Sequence, residues 1–198
     1  MKQFLVKCMN NLKYGGLKKE EYQEIEQEIL EKDRGTLNLT AICLLLMFTG
    51  LFTGSLFLEM MAPNRTIYFL VGISFIGIWY LCERMKKGAK RFIIPLWYAT
   101  MSLMIGYALI LNTVLRNDIS ATTFCIIIII IIVAPLLIMD KPWRVFCFFC
   151  LVIRVFIPID FHQKAYYLAY TDTVNAICCL FIGSVVHASI IRIHSHQA

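Results

Sequence analysis

Four residues in the C-terminal part of the chain have types suited to polar chemistry in an apolar setting: Arg154, Asp172, Asn175 and His187. Arg154 stands in the stretch CFFCLVIRVFIPID, residues 147–160, where eleven of fourteen residues are apolar. A permanent guanidinium there needs a partner or an exit to water. The chain returns through YTDTVNAICC, and in an antiparallel helix pair Asp172 and Asn175 re-enter at about the depth of Arg154. Being three apart, they share a helix face. A carboxylate and an amide beside the guanidinium would neutralise it and use its donors. Such a cluster is either a clamp between two helices, contributing about 1–2 kcal/mol, or a small-ligand pocket lined by aromatics such as Phe156, Tyr166, Tyr167 and Tyr170. His187 follows Asn175 by twelve residues, a little over three turns, and so stays near that face. It is expected as a neutral imidazole bonded to another helix or as a proton-sensitive switch.

The elements that would carry these residues are membrane helices. Of the 198 residues, 59% are hydrophobic and 16% charged, against roughly 45–50% and about 25% in soluble domains. Residues 1–36 hold fourteen of the charged side chains. Beyond them lie six apolar runs, at about 37–61, 66–82, 92–111, 121–139, 143–159 and 172–193. Each matches the roughly 17–25 helical residues that cross a hydrocarbon core. The run of isoleucines at 126–132 has strand propensity, but a lone strand leaves its backbone unsatisfied in lipid and a helix does not. The expected fold is therefore all-α, a polytopic membrane bundle of about six transmembrane helices.

Lys and Arg set the orientation. The head before the first run has seven, the 83–91 loop five, the fourth–fifth loop Lys141 and Arg144, and the tail Arg192; the opposite loops have Arg65, Arg116 and Lys164. Fifteen against three predicts both termini in the cytoplasm (N-in/C-in) of a multi-pass protein of the plasma membrane. The net charge of +6 is then a topology signal, and no nucleic-acid partner follows from it. The predicted organisation is cytosolic amphipathic and charged lead-in helices at 1–36, a six-span membrane domain at 37–193 and a cytosolic tail at 194–198. In the lead-in, Tyr22, Ile25 and Ile29 form one apolar stripe, with the helix ending near Gly35. The stripe would pack on the cytosolic helix ends or on a second copy of the chain. Asn64-Arg65-Thr66 matches a glycosylation acceptor in an outer loop.

Catalytic signatures are sparse. No His precedes His162, so no HExxH is present. Ser184 and His187 lie one turn apart without a GxSxG turn, and no DxxD cluster offers magnesium ligands. The eight cysteines include Cys147-x-x-Cys150 and the adjacent Cys178 and Cys179. They fall inside apolar runs, where Cys packs as a small hydrophobe and zinc would lack converging ligands. His194 and His196 are two apart and do not share a helical face. No catalytic residue, metal site or cofactor is expected.

The acidic EIEQEILEKDRGTLN lead-in, the compact six-span core, the stretch MDKPWRVFCFF and the spacing of Lys164, Asp172 and Asn175 resemble the N-terminal membrane region of Firmicutes diguanylate cyclases, in which about six helices precede a cytosolic GGDEF domain. The resemblance implies a non-catalytic sensory or anchoring module that signals to a cytosolic partner, through a homodimer. Nucleotide chemistry would then belong to an output domain outside this chain, the chain being a truncated or split signalling protein or a stand-alone module. The alternative is a substrate-binding or membrane subunit of a small-molecule transporter, for which Gly50 and Gly54, spaced as GxxxG, offer a docking face.

Overall fold

A computed structural model describes residues 19–85, 92–113, 129–131, 133–134 and 137–195. Among these residues the structure is helical, with no strand. The principal helices are α1 (Lys19–Phe57), α2 (Arg65–Arg84), α3 (Ile93–Thr113), α4 (Pro142–Gln163) and α5 (Tyr166–Ser195), with a 3-10 segment at Glu59–Asn64. Five helical stretches are long and apolar enough to cross a membrane: Glu28–Phe57, Met61–Arg84, Ile93–Ile110, Pro142–His162 and Tyr166–Ile191. Their outer faces carry bare Leu46, Phe57, Val185 and many other large apolar side chains, a surface that suits lipid and not water. The sixth apolar run, 121–139, lies largely outside the described residues, as do residues 1–18 of the lead-in and 196–198 of the tail.

The chain divides into two compact units, one of Met1–Leu30 with Phe124–Ala198, the other of Glu31–Thr123. In the second unit, Phe48 of α1 stacks on Phe75 of α2 with centroids 5.7 Å apart, and meets Tyr107 of α3 edge-on at 4.9 Å. Leu58 takes an extended backbone and ends α1. The Arg65 guanidinium donates to the Ser55 carbonyl at 2.6 Å, serving one of the acceptors that a helix C-terminus leaves open. Asn64 is buried and its amide donates to the Tyr68 hydroxyl, so the glycosylation acceptor expected here is occupied within the fold.

No break occurs at Gly35; α1 runs on from the charged lead-in to Phe57. Contacts from neighbouring helices hold this stretch. Trp97 Nε1 donates to the Asp33 carbonyl at 3.0 Å, Cys82 Sγ to the Arg34 carbonyl, and Asn38 Nδ2 to Glu83 Oε1 at 2.8 Å. A break would have opened up to eight backbone groups where lipid offers no partner. Gly35 therefore serves no turn, and a Cβ there meets nothing within 4 Å. Gly35→Ala should stabilise the chain by about 0.5–1 kcal/mol through backbone entropy, read as a higher unfolding midpoint of the full chain in detergent. Gly50 and Gly54 likewise have no close backbone neighbour; a Cβ on Gly54 would touch Met61 Sδ at an ordinary 3.7 Å.

In the first unit, α4 and α5 form a hairpin joined by Lys164 and Ala165. So short a link makes the two helices antiparallel neighbours. On α4 the buried line is Val145, Phe149, Val152, Ile153, Phe156 and Asp160; on α5 it is Ala169, Ala176, Leu180, His187 and Ile191. Both lines follow the three-to-four spacing of a helix face, and the small Ala169 and Ala176 let the backbones approach. Ile29 of the lead-in packs with Met139, Ile191 and Ile190, so its apolar stripe is used, at least there, within the chain. Both helices outrun their apolar runs. α4 continues through Pro158 to Gln163 and α5 begins at Tyr166. Pro158 removes only the bond that the Arg154 carbonyl would have received, a loss membrane helices tolerate.

Candidate functional site

The buried polar groups of the α4–α5 hairpin gather towards its two ends. At the tip, Lys164 Nζ lies 2.9 Å from Asp160 Oδ1 and also pairs with Asp172 Oδ2. The three side chains are 1%, 6% and 16% exposed for Asp160, Lys164 and Asp172. The local sequence builds this arrangement. Asp160 lies four residues after Phe156, hence on the buried face of α4; Lys164 is one further turn along. Its amide donates to the Asp160 carbonyl at 2.9 Å and closes the helix. Asp172 lies four residues before Ala176, on the buried face of α5. Lys164 contacts Asp160 Oδ1 at ion-pair distance but outside hydrogen-bond geometry, and Asp160 Oδ2 receives no donor. Burial alone would pull the Lys164 pKa down. A hydrogen bond from its ammonium to Asp172, with the negative charges of Asp160 and Asp172 beside it, outweighs that and holds it above the ordinary lysine value.

At the other end, His187 is fully buried and its Nε2 lies 2.8 Å from the Asp140 carbonyl. A carbonyl only accepts, so Nε2 carries the hydrogen. The Asp140 carboxylate is buried and pairs with Arg144 at 3.3 Å, one turn on. His187 follows Asp172 by fifteen residues, about 22 Å along α5.

The four residues singled out by type are not brought together. Asp172 goes to Lys164, and His187 to Asp140. Arg154 and Asn175 are exposed. Arg154 lies two residues from both Val152 and Phe156, about 200° round the helix, so it faces away from α5 although its depth matches. Asn175 is one residue, about 100°, off the Ala176 line. Phe156 is buried, and Tyr166, Tyr167 and Tyr170 stand 59–75% exposed; they do not share one surface. Three exposed tyrosines stand at this end and exposed Trp143 at the other, a pattern like the aromatic belts of membrane–water interfaces. Asp160 was not singled out. Its signal was available: it falls i,i+4 from Lys164 and on the Phe156 face.

Among the described residues no three His, Cys, Asp or Glu converge as metal ligands, and the six described cysteines are free thiols. No family model matches the chain, and neither a curated protein nor a solved structure matches it.

Proposed function

We propose that the chain is a non-catalytic, multi-pass sensory module of the cell membrane, with both termini in the cytoplasm. It registers a small ligand or ion at the outer tip of the α4–α5 hairpin and passes the change along α5 to a cytosolic signalling partner. One observation carries this reading. The same two segments are tied by buried polar contacts at both ends, Asp160–Lys164–Asp172 at the tip and His187–Asp140 about 22 Å away. A chain of packed side chains with discrete contacts at each end is the kind of element through which two sites couple. The orientation rests on the Lys and Arg distribution and needs a further crossing among residues 114–136. The reading as a sensor, and not as a transport path, is supported by where the polar groups lie. The buried ones sit towards the ends of the hairpin, whereas transporter sites form near mid-membrane at broken helices.

The test uses the full chain in lipid nanodiscs. Asp172→Asn removes one charge at the tip, and amide exchange is then read at both ends. Coupling predicts exchange changed about tenfold at residues 183–191 as well as near the substitution, a shift of about 1.4 kcal/mol. A change confined to 160–175 would reduce the hairpin to a local clamp. Uptake of a labelled metabolite by cells expressing the chain, above vector control, would overturn the sensory reading in favour of transport.

A further inference from the structure

The tip triad holds two carboxylates and one ammonium, so with all three ionised it carries one uncompensated negative charge. Asp160 is 0% exposed and its Oδ2 has no hydrogen-bond donor. An unbalanced charge in such a place is costly, and native folds remove it by pairing or by neutralising it. Among the other charged or titratable groups nearby, Arg154, His162, Tyr166, Tyr167 and Tyr170 are exposed, so among the described residues Lys164 and Asp172 are the two groups that face Asp160. Neither can supply the missing positive charge: Lys164 is already shared, and Asp172 adds to the deficit. We propose that the Asp160–Lys164–Asp172 triad binds one small monovalent cation, a proton or a bare metal ion, at Asp160.

This rests on the sensory reading and names its ligand class. Size follows from access. Of the three side chains Asp172 is the most exposed, at 16%, and Asp160 at 1% is closed to solvent, which leaves no room for an organic cation at the Asp160 oxygens. A proton adds to the carboxylate as –COO⁻ plus H⁺ giving –COOH, and converts an orphan acceptor into a donor. A metal ion would take the same oxygens as hard ligands. Either brings the site to zero net charge, and neither displaces the Lys164 contacts.

The experiment measures unfolding of the full chain in detergent, first against pH at fixed choline chloride, then against NaCl, KCl and LiCl replacing choline at fixed pH. The wild type should show linkage to one cation: above the dissociation constant of the folded chain, the folding constant rises about tenfold per tenfold rise in free cation. A response to pH alone identifies the proton, and a response to one salt at fixed pH the metal ion. Asp160→Asn, neutral and nearly the same shape, should flatten the dependence. Asp172→Asn, at the less buried partner, should flatten it too and guards against a folding defect at Asp160. The readout is the difference between wild type and variant, because other carboxylates also titrate. A wild type flat in both series, or variants that keep its slope, would overturn the proposal. Either result would leave the tip-to-base coupling, read by amide exchange, standing or falling on its own.

Discussion

Lys164→Met should cost the folded chain about 3–5 kcal/mol, the usual penalty for removing one member of a buried charge pair. The methionine keeps much of the stem's volume, so the loss comes from the ammonium. Without it, the buried Asp160 carboxylate and the half-buried Asp172 carboxylate are left facing each other with no ammonium between them. Denaturation in mixed detergent would register this as a marked fall in the unfolding midpoint. The charge argument predicts a rescue: Lys164→Met combined with Asp160→Asn and Asp172→Asn should recover most of the loss, since no buried charge then remains. Lack of rescue would mean that shape, not charge, sets the cost. The pH dependence has a defined sign. The Lys164 pKa is raised in the folded state, so its contribution is fully present below the unfolded lysine value of about 10.4 and is lost as pH climbs through the folded value. Wild type should therefore lose stability above about pH 10.4 by a route that the methionine variant lacks.

The sequence made the helices readable and the azimuth of its polar residues less so. Apolar length marks the five helices long enough to cross a membrane, because lipid admits almost nothing else. The ends of these helices were harder. Gly35 and Pro158 are local signals for stopping, yet both lie inside helices, because a membrane makes an open backbone group more costly than a poor helix former. Arg154 shows the other difficulty. Depth along the chain pairs it with Asp172, but a helix residue also has an angle, and the buried line through Val152, Phe156 and Asp160 turns Arg154 outward. A permanent charge in an apolar run draws notice, whereas Asp160 near the end of one resembles an ordinary helix terminus. The spacing 156, 160, 164 held the information, and 172, 176, 180, 187 held its counterpart. What spacing could not provide is which element covers each line. Ile29 against Met139 and Ile191 is such a case, since those residues are far apart in the chain.

The base of the hairpin should respond differently from its tip. His187→Leu removes the donor from a buried carbonyl, that of Asp140, and an acceptor left so costs about 1–3 kcal/mol. The expected loss is smaller than at Lys164 because no unpaired charge is created. It is also local in a way that can be read. Asp140 immediately precedes the turn that starts α4, where the Arg144 and Val145 amides donate to the Lys141 carbonyl. Releasing the His187 contact should let this turn fray, so those two amides should exchange faster. His187→Gln provides the control. Its side-chain amide can reach the position of Nε2 and donate to the same carbonyl, so stability and protection should lie close to wild type. Equal losses in the leucine and glutamine variants would show that ring packing holds this end, and not the hydrogen bond. The His187 contact would then be no lever through which a charge change at the tip could reach the base of α4.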